Sequence, residues 1–389
     1  MRECKEVVVV ACGRAPIGKA QKGSYAALHP VEYAAQTLRG VLKKVPQLNW
    51  CDIDDLVVGC SNLSGVQGNN TARIIAQRAG VPNEVPATSI TRFCSSGLQA
   101  ISVCANAIMS GQEEIMVAGG VESMSLLPGG SDPATRDPWL MEHKPEIYMT
   151  MGMTAENVAE RYSIGRAEME QFAAESHQKA ARARAQGLFR PYQIPIRIET
   201  PEGEKLVTED EGIRPDTTAE GLANLKPCFK EDGRLTAGTS SQRSDGAAFA
   251  VLMSAERAEA MGLKPVARFV SFAVRGVDPE VMGLGPIAAV PKALKKAGMT
   301  LDQMDVIELN EAFASQALAC IRDLGMDSKK VNPNGGAIAM GHPMGATGIN
   351  LLCNALCHLE QTDGKYALIT MCIGGGMGAA AVFERLSGD

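Results

Sequence analysis

Aromatic side chains are scarce in this chain: Phe, Trp and Tyr together make up 4% of 389 residues, with only two tryptophans. The core must therefore pack small side chains and thioethers, for which 40 glycines and 19 methionines are available. No apolar run approaches the roughly 18 residues that a membrane-spanning helix needs. Positive charge is in the minority, with 38 Lys and Arg against 44 Asp and Glu and a net charge of −6. That balance excludes a general nucleic-acid binder, which presents a basic surface. An anionic ligand would need locally concentrated basic residues. The segment Met1–Val10 has no secretory apolar core or Arg-rich transit helix, and Leu386-Ser387-Gly388-Asp389 is not a peroxisomal address. The eleven cysteines are an odd number, and Cys12, Cys104 and Cys320 lie inside apolar runs. Reduced thiols and a cytoplasmic location are expected.

The length exceeds the roughly 150 residues typical of one domain, so two or three are expected. Short β-branched runs at Val7–Ala11, Leu56–Val58 and Ile115–Ala118 alternate with helical spacing over Val31–Lys44 and Gly97–Met109. The alternation predicts an α/β fold with a largely parallel sheet. An internal repeat is also present. Leu42-Lys43-Lys44 followed by Asp52–Leu56 is similar to Leu294-Lys295-Lys296 followed by Asp302–Val306. Gly97 opens a helix leading to a strand at Ile115, and Gly348 opens one leading to a strand at Tyr366, with the same separation. A repeat of this length points to a duplicated domain. Between the halves, the segment from Glu122 to about Arg243 holds a Pro/Gly/Ser stretch (Leu127–Pro138), an Ala-rich helix (Arg166–Gln186) and a charged irregular part (Pro201–Arg234). It reads as an insertion, with the second half starting near Val266.

Four segments carry chemistry. Cys94, in Thr91–Leu98, sits between a strand and a helix start, where the helix dipole and free N–H groups favour thiolate and could hold an oxyanion. A buried structural cysteine is the alternative there. His342 is one of only five histidines and lies in the Gly-rich turn Asn334–Pro343, suited to taking a proton from a thiol. Cys372 closes the strand Ala367–Met371 before three glycines that could expose backbone N–H donors. Asn310 follows the strand Val306–Leu309, where it could orient a water or cap a helix. The glycine run lacks the helix and acidic partner of a dinucleotide site, and no GK[ST] phosphate loop occurs. Cys353, Cys357 and His358 share a helix without a second Cys/His pair at zinc spacing, so they read as core residues rather than ligands.

Taken together, CSSG (94–97), NEAFA (310–314), NGGAIAMGHPMGATG (334–348) and MCIGGGMG (371–378) resemble the thiolase family. The resemblance runs from Glu6 to Arg385 and includes GRAPIG (13–18), AGGVESMS (118–125) and MGMTAENVAERY (151–162). Within the family, residues 209–227 and 235–248 are similar to degradative 3-ketoacyl-CoA thiolases. Biosynthetic acetoacetyl-CoA thiolases commonly read AGNASG where this chain has Ala237–Gln242, and carry His where it has Thr150.

The resemblance implies two similar halves in a five-layered α/β/α/β/α fold, with an inserted loop domain over the active site. The halves would be 1–121 with 244–265, and 266–389, and the loop domain 122–243. It implies that Cys94 takes the acyl group, His342 activates it and Cys372 is the second acid/base. Asn310 would hold a water that completes one oxyanion hole with His342, and the N–H groups of Cys94 and Gly374 would form the other. Coenzyme A, as substrate, would meet Met151, Arg214, Phe229, Ala237, Ser241 and Phe313, with Lys226 and Lys230 adding charge. Neither a metal nor a redox cofactor is implied. A homodimer is expected, with a dimer of dimers as the larger assembly. Acetyl-CoA acetyltransferase is the nearest alternative activity, and a silent protein that binds CoA esters is an alternative of another class.

Overall fold

Four consecutive valines, Val7–Val10, begin a strand whose residues are all buried, because both faces of the sheet are covered by helices. The computed structural model describes residues 4–127, 133–201 and 203–386. The first part of the chain holds β1 (Val7–Arg14), β2 (Gly18–Lys19), α1 (Pro30–Leu42), β3 (Asp55–Gly59), α2 (Thr71–Ala79), β4 (Ala87–Ile90), α3 (Ser96–Met109) and β5 (Ile115–Ser123). The middle holds α4 (Pro138–His143), α5 (Met151–Arg161), α6 (Arg166–Ala185), the hairpin β6 (Ile196–Thr200) and β7 (Gly203–Val207), and α7 (Ala219–Ala223). Then come β8 (Ser244–Ser254), α8 (Ala255–Ala260), β9 (Ala267–Gly276), α9 (Gly285–Ala297), β10 (Val306–Leu309), α10 (Ala314–Leu324), α11 (Ala337–Met340), α12 (Met344–Thr362), β11 (Tyr366–Ile373) and β12 (Met377–Arg385).

The main sheet runs β10-β11-β12-β9-β1-β8-β5-β3-β4, with β2 on β8. Its two sides have the same plan. In one, β3 is parallel to β4 and β5, and β8 is antiparallel to β5 and β1. In the other, β10 is parallel to β11, and β12 is antiparallel to β11 and β9. Even the outermost parallel neighbour recurs, since Val331 bridges Ile307 where β4 pairs β3. The sides meet at β1 and β9, through Val8–Arg268 and Val9–Ala267.

Helices α1 and α2 cover the outer face of the first side, and α9 and α10 that of the second. Between the sides lie α3 and α12, giving five layers. These central helices touch backbone to backbone. A Cβ on Gly97 would sit 2.7 Å from the Gly345 carbonyl oxygen, and one on Gly348 2.3 Å from the Leu98 nitrogen. The middle segment is tied to β1 by a buried bidentate pair, Arg14 Nη1–Asp210 Oδ1 (2.6 Å) and Nη2–Oδ2 (2.7 Å).

Several sequence expectations shift. The main sheet is mixed and not largely parallel: its strands pair parallel at β3–β4, β3–β5 and β10–β11 and antiparallel at β1–β8, β1–β9, β2–β8, β5–β8, β9–β12 and β11–β12. The Pro201–Arg234 stretch is not wholly irregular: it contains β7 and α7. Gly348 does not open its helix, because α12 starts four residues earlier at Met344. Strand β5 continues through Glu122 to Ser123, and β11 includes Cys372. Residues 128–132 of the Pro/Gly/Ser stretch lie outside the described residues.

Candidate active site

Cys94 is not the first residue of α3. It lies in a 3₁₀ turn, Phe93–Ser95, that precedes the helix. Phe93 adopts φ +43°, a left-handed conformation that an aromatic residue rarely takes. The turn is held by Ser96, whose hydroxyl donates to the Phe93 carbonyl (2.7 Å) and accepts from the Arg92 N–H (2.9 Å). Phe93 is thereby turned outward, 46% exposed, and Cys94 inward. Burial pushes the Cys94 thiol up to about 11; the N–H of Gly374 pulls it down, Glu122 adds to the rise, and its own N–H again lowers it. The helix start therefore does not yield the thiolate expected from local position, because desolvation outweighs the N–H groups. The resting group is a thiol.

His342 follows Gly341, whose φ of +115° and contact with Ser244 leave no room for a side chain. Its N–H donates to the Gln242 carbonyl (3.2 Å) and to Ser244 Oγ (3.1 Å). Thr347 fixes the tautomer. Its only hydroxyl hydrogen goes to the Pro343 carbonyl (3.1 Å), so Oγ1 accepts from His342 Nδ1 at 2.7 Å. Nε2 then carries the lone pair and accepts from Asn310 Nδ2 at 3.3 Å. Burial pushes the imidazole down to about 4, so it is neutral at neutral pH. Asn310 is not a helix cap: α10 starts at Ala314, and the Asn310 N–H donates instead to the Thr370 carbonyl (3.0 Å).

Cys372 is fully buried near the end of β11, and burial, followed by the neighbouring Cys94, holds its thiol well above the ordinary range. The next residues, Gly374–Gly376, connect β11 to β12, with Ile373 paired to Met377. Gly376 has φ +80°, and a Cβ there would lie 2.3 Å from the Val277 carbonyl oxygen. A Cβ on Gly374 would be 3.4 Å from Met151 Sδ.

Of the residues expected to meet coenzyme A, Met151, Phe229 and Phe313 join the apolar cluster that contains Cys372, and the two phenylalanine rings meet edge to face at 5.8 Å. Ser241 donates its N–H to the Ala312 carbonyl (2.9 Å), next to Phe313, and Ala237 begins a 3₁₀ turn capped by Thr236. Arg214 is exposed and outside that cluster; its N–H donates to Nδ1 of buried His177 (3.1 Å). Burial, then the Arg214 charge, pushes His177 down to about 4.

Four residues that sequence reasoning passed over hold these parts in place. Gln242 donates to the carbonyls of Gly212, Ile338 and Ala339, linking the Arg214 segment to the loop before His342. Glu311 accepts from Ser176, Asn332 and the Ile338 N–H, so it fastens α6 to the same loop. Glu122 accepts from the Ser61 and Gly345 N–H groups and from Gln67, fixing the start of α12. Thr347 is the fourth. Glu311 stands next to Asn310 and Thr347 five residues after His342, and that proximity was the signal the sequence offered for these two. Among the described residues, no group of three or more His, Cys, Asp or Glu side chains is arranged to hold a metal ion, and no helix is long and apolar enough to cross a membrane.

Known proteins share both the sequence and the fold. Residues 7–256 match the family described as thiolase, N-terminal domain, and residues 263–385 that described as thiolase, C-terminal domain. A 3-ketoacyl-CoA thiolase of Bacillus subtilis is 48% identical, over 98% of this chain and 99% of its own. The peroxisomal 3-ketoacyl-CoA thiolase A of Mus musculus is 45% identical, over 97% of this chain and 91% of its own. Among solved structures, the acetyl-CoA acetyltransferase of Bacillus anthracis superposes with a TM-score of 0.92 at 38% identity, covering 99% of this chain and 100% of its own. The dimeric peroxisomal thiolase of Saccharomyces cerevisiae gives 0.91 at 37%, covering 99% of each.

Proposed function

The chain belongs to the thiolase family, and from that premise we propose that it cleaves 3-ketoacyl-CoA with free coenzyme A to acetyl-CoA and a shortened acyl-CoA. The observation that carries this reading is the pairing of two buried thiols, Cys94 and Cys372, with a neutral His342 whose unprotonated Nε2 is engaged only by the Asn310 amide at 3.3 Å.

In the first half-reaction, Cys94 Sγ gives its proton to His342 Nε2 and bonds to the 3-keto carbon. The Cα–Cβ bond breaks, and the departing carbanion of acetyl-CoA takes the Cys372 proton. In the second, the Cys372 thiolate takes the proton of an incoming CoA thiol, whose sulfur attacks the Cys94 thioester. Cys94 leaves as thiolate and recovers its proton from His342. Both thiols end as they began. The N–H groups of Cys94 and Gly374 serve one oxyanion, and protonated His342 with a water on Asn310 serves the other. Met151, Phe229, Phe313, Ala237 and Ser241 receive the CoA arm, and Arg214, with Lys226 and Lys230, faces its phosphates. We assign that binding to 122–243, inserted between halves 1–121 with 244–265 and 266–389. The protein acts as a cytoplasmic homodimer.

Acetyl-CoA acetyltransferase activity is the second reading, favoured by the close superposition on the Bacillus anthracis enzyme. Thiolysis measured with acetoacetyl-CoA and with medium- and long-chain 3-ketoacyl-CoA decides between them. Turnover of the longer substrates is expected; activity confined to acetoacetyl-CoA would assign the second reading.

A further inference from the structure

Glu308 is a fully buried charge-bearing group that the proposed chemistry does not use. It is fully inaccessible, and among the described residues neither carboxyl oxygen has a hydrogen-bond partner. Alternation along β10 explains where it points. Ile307 and Leu309 pack outward with α9, while Val306 packs inward on Ala355 and Leu359 of α12, so Glu308, two residues on, faces α12 as well. Asn310 continues that inward parity and reaches His342 Nε2.

The facing side of α12 is polar in the same register. Thr347, Asn350 and Asn354 are spaced i, i+3, i+7 and form one stripe. Thr347 holds His342 Nδ1 at one end, and Asn354 lies beside Glu308 at the other. All four residues that carry amide or carboxyl groups in this seam are at least nine-tenths buried: Asn310 0%, Glu308 0%, Asn350 4% and Asn354 3% exposed. Each presents an unpartnered acceptor oxygen, from three amides and one carboxyl. Two facing elements thus offer a line of unsatisfied acceptors that starts at the catalytic histidine. Buried water satisfies such groups when it finds roughly two to four polar partners.

We propose that the seam between β10 and α12 is a hydrated chamber that positions the water held by Asn310, with Glu308 as its inner anchor. This rests on the reading of Asn310 given above. Glu308 is a positioning residue, acting through the seam and not on substrate. In this role it is a neutral acid that donates its proton into the seam. Burial, then Glu311, hold its carboxyl well up, against Lys179 and Asn354, and Cys357 also faces it.

The test uses the full-length enzyme and three variants. Glu308→Gln keeps shape and a donor without charge, so its kcat should stay within about threefold of the parent. Glu308→Leu dries the inner end and Asn350→Leu the middle. Each should lower kcat at least tenfold while leaving KM for CoA and alkylation of Cys94 unchanged. Infrared spectra at neutral pH should show a protonated-carboxyl band that Glu308→Gln removes. That band is read without substrate, so it reports on the seam even if the parent fails to thiolyse 3-ketoacyl-CoA and the proposed function falls. The proposal is overturned if the band is missing or independent of Glu308. It is equally overturned if Glu308→Gln is as impaired as Glu308→Leu, or if folded Asn350→Leu turns over at the parental rate.

Discussion

The side-chain amide of Asn310 approaches His342 Nε2 at 3.3 Å, while Nδ1 of the same ring is committed to Thr347 at 2.7 Å. The ring therefore has one defined tautomer and no anionic partner, and burial alone sets its affinity for protons. His342 and His177 both titrate near 4 in the folded chain, below the ordinary value of 6.5. Unfolding lets each bind a proton below pH 6.5, so stability falls as pH drops from 6.5 towards 4 and is unaffected above. Each histidine should cost about 2 kcal/mol at pH 5. Denaturant midpoints at pH 7 and pH 5 should therefore converge in His177→Asn by about that amount relative to the parent. Equal pH dependence of the two proteins would show that His177 is not held neutral by the fold.

A second expectation concerns the resting state of Cys94. With its thiol pushed up to about 11, only a small fraction is thiolate at neutral pH. Alkylation by iodoacetamide in the absence of substrate should accelerate about tenfold per pH unit from neutrality upward. Cys94→Ala should lose this labelling and all thiolysis. A rate that levels off below pH 8 would mean that the Gly374 and Cys94 N–H groups outweigh burial.

This is also where local sequence reasoning reached its limit. Position beside a helix start was visible at Cys94, but the burial that reverses its consequence comes from α12 and β11, far along the chain. The duplication was legible because each half must encode its own strands and helices, and the paired sheet order reflects it. Helix boundaries were less so: Gly348 reads as an opening residue, yet the loop from Asn334 to Pro343 ends soon enough for α12 to start at Met344. Gln242, Glu311 and Glu122 could not be singled out, since each acts by joining segments that are distant in sequence. The motif singled out Arg214 but gave no sign of its contact with His177.

Gly348 offers a test of how the two central helices align the site. Cys94 precedes α3 and His342 precedes α12, so the spacing of these helices sets the spacing of the proposed nucleophile and base. Gly348→Ala places a methyl 2.3 Å from the Leu98 nitrogen, a backbone atom that cannot move alone. Overpacking should cost roughly 1–3 kcal/mol of stability. The helices must separate, and thiolysis should fall by at least tenfold in protein that remains folded by circular dichroism. Full activity in folded Gly348→Ala would show that helix spacing does not govern the proposed Cys94–His342 pair.

The two thiols should separate by role. Cys372→Ser preserves size and hydrogen bonding but replaces a thiol, ordinarily titrating near 8.5, by a far weaker acid. Cys94, His342 and the Gly374 N–H remain, so an activated acyl-CoA should still load Cys94, at a reduced rate. The proton that leaves with, or is taken from, the acetyl-CoA carbon has no comparable source or acceptor. His342 does not substitute, because the proton its Nε2 takes from Cys94 is kept for the departing Cys94 thiolate, and Nδ1 is committed to Thr347. Mass spectrometry of the variant should show an acyl adduct on Cys94, while thiolysis of a 3-ketoacyl-CoA falls by at least about a hundredfold, the lower end of the range for losing a general acid–base group. Cys94 itself is a thiol in the resting protein, and its proton is consumed in forming the adduct, so it cannot supply the second proton either. Thiolysis near the parental rate in Cys372→Ser would require another group at that carbon and would sink the division of labour between the two cysteines.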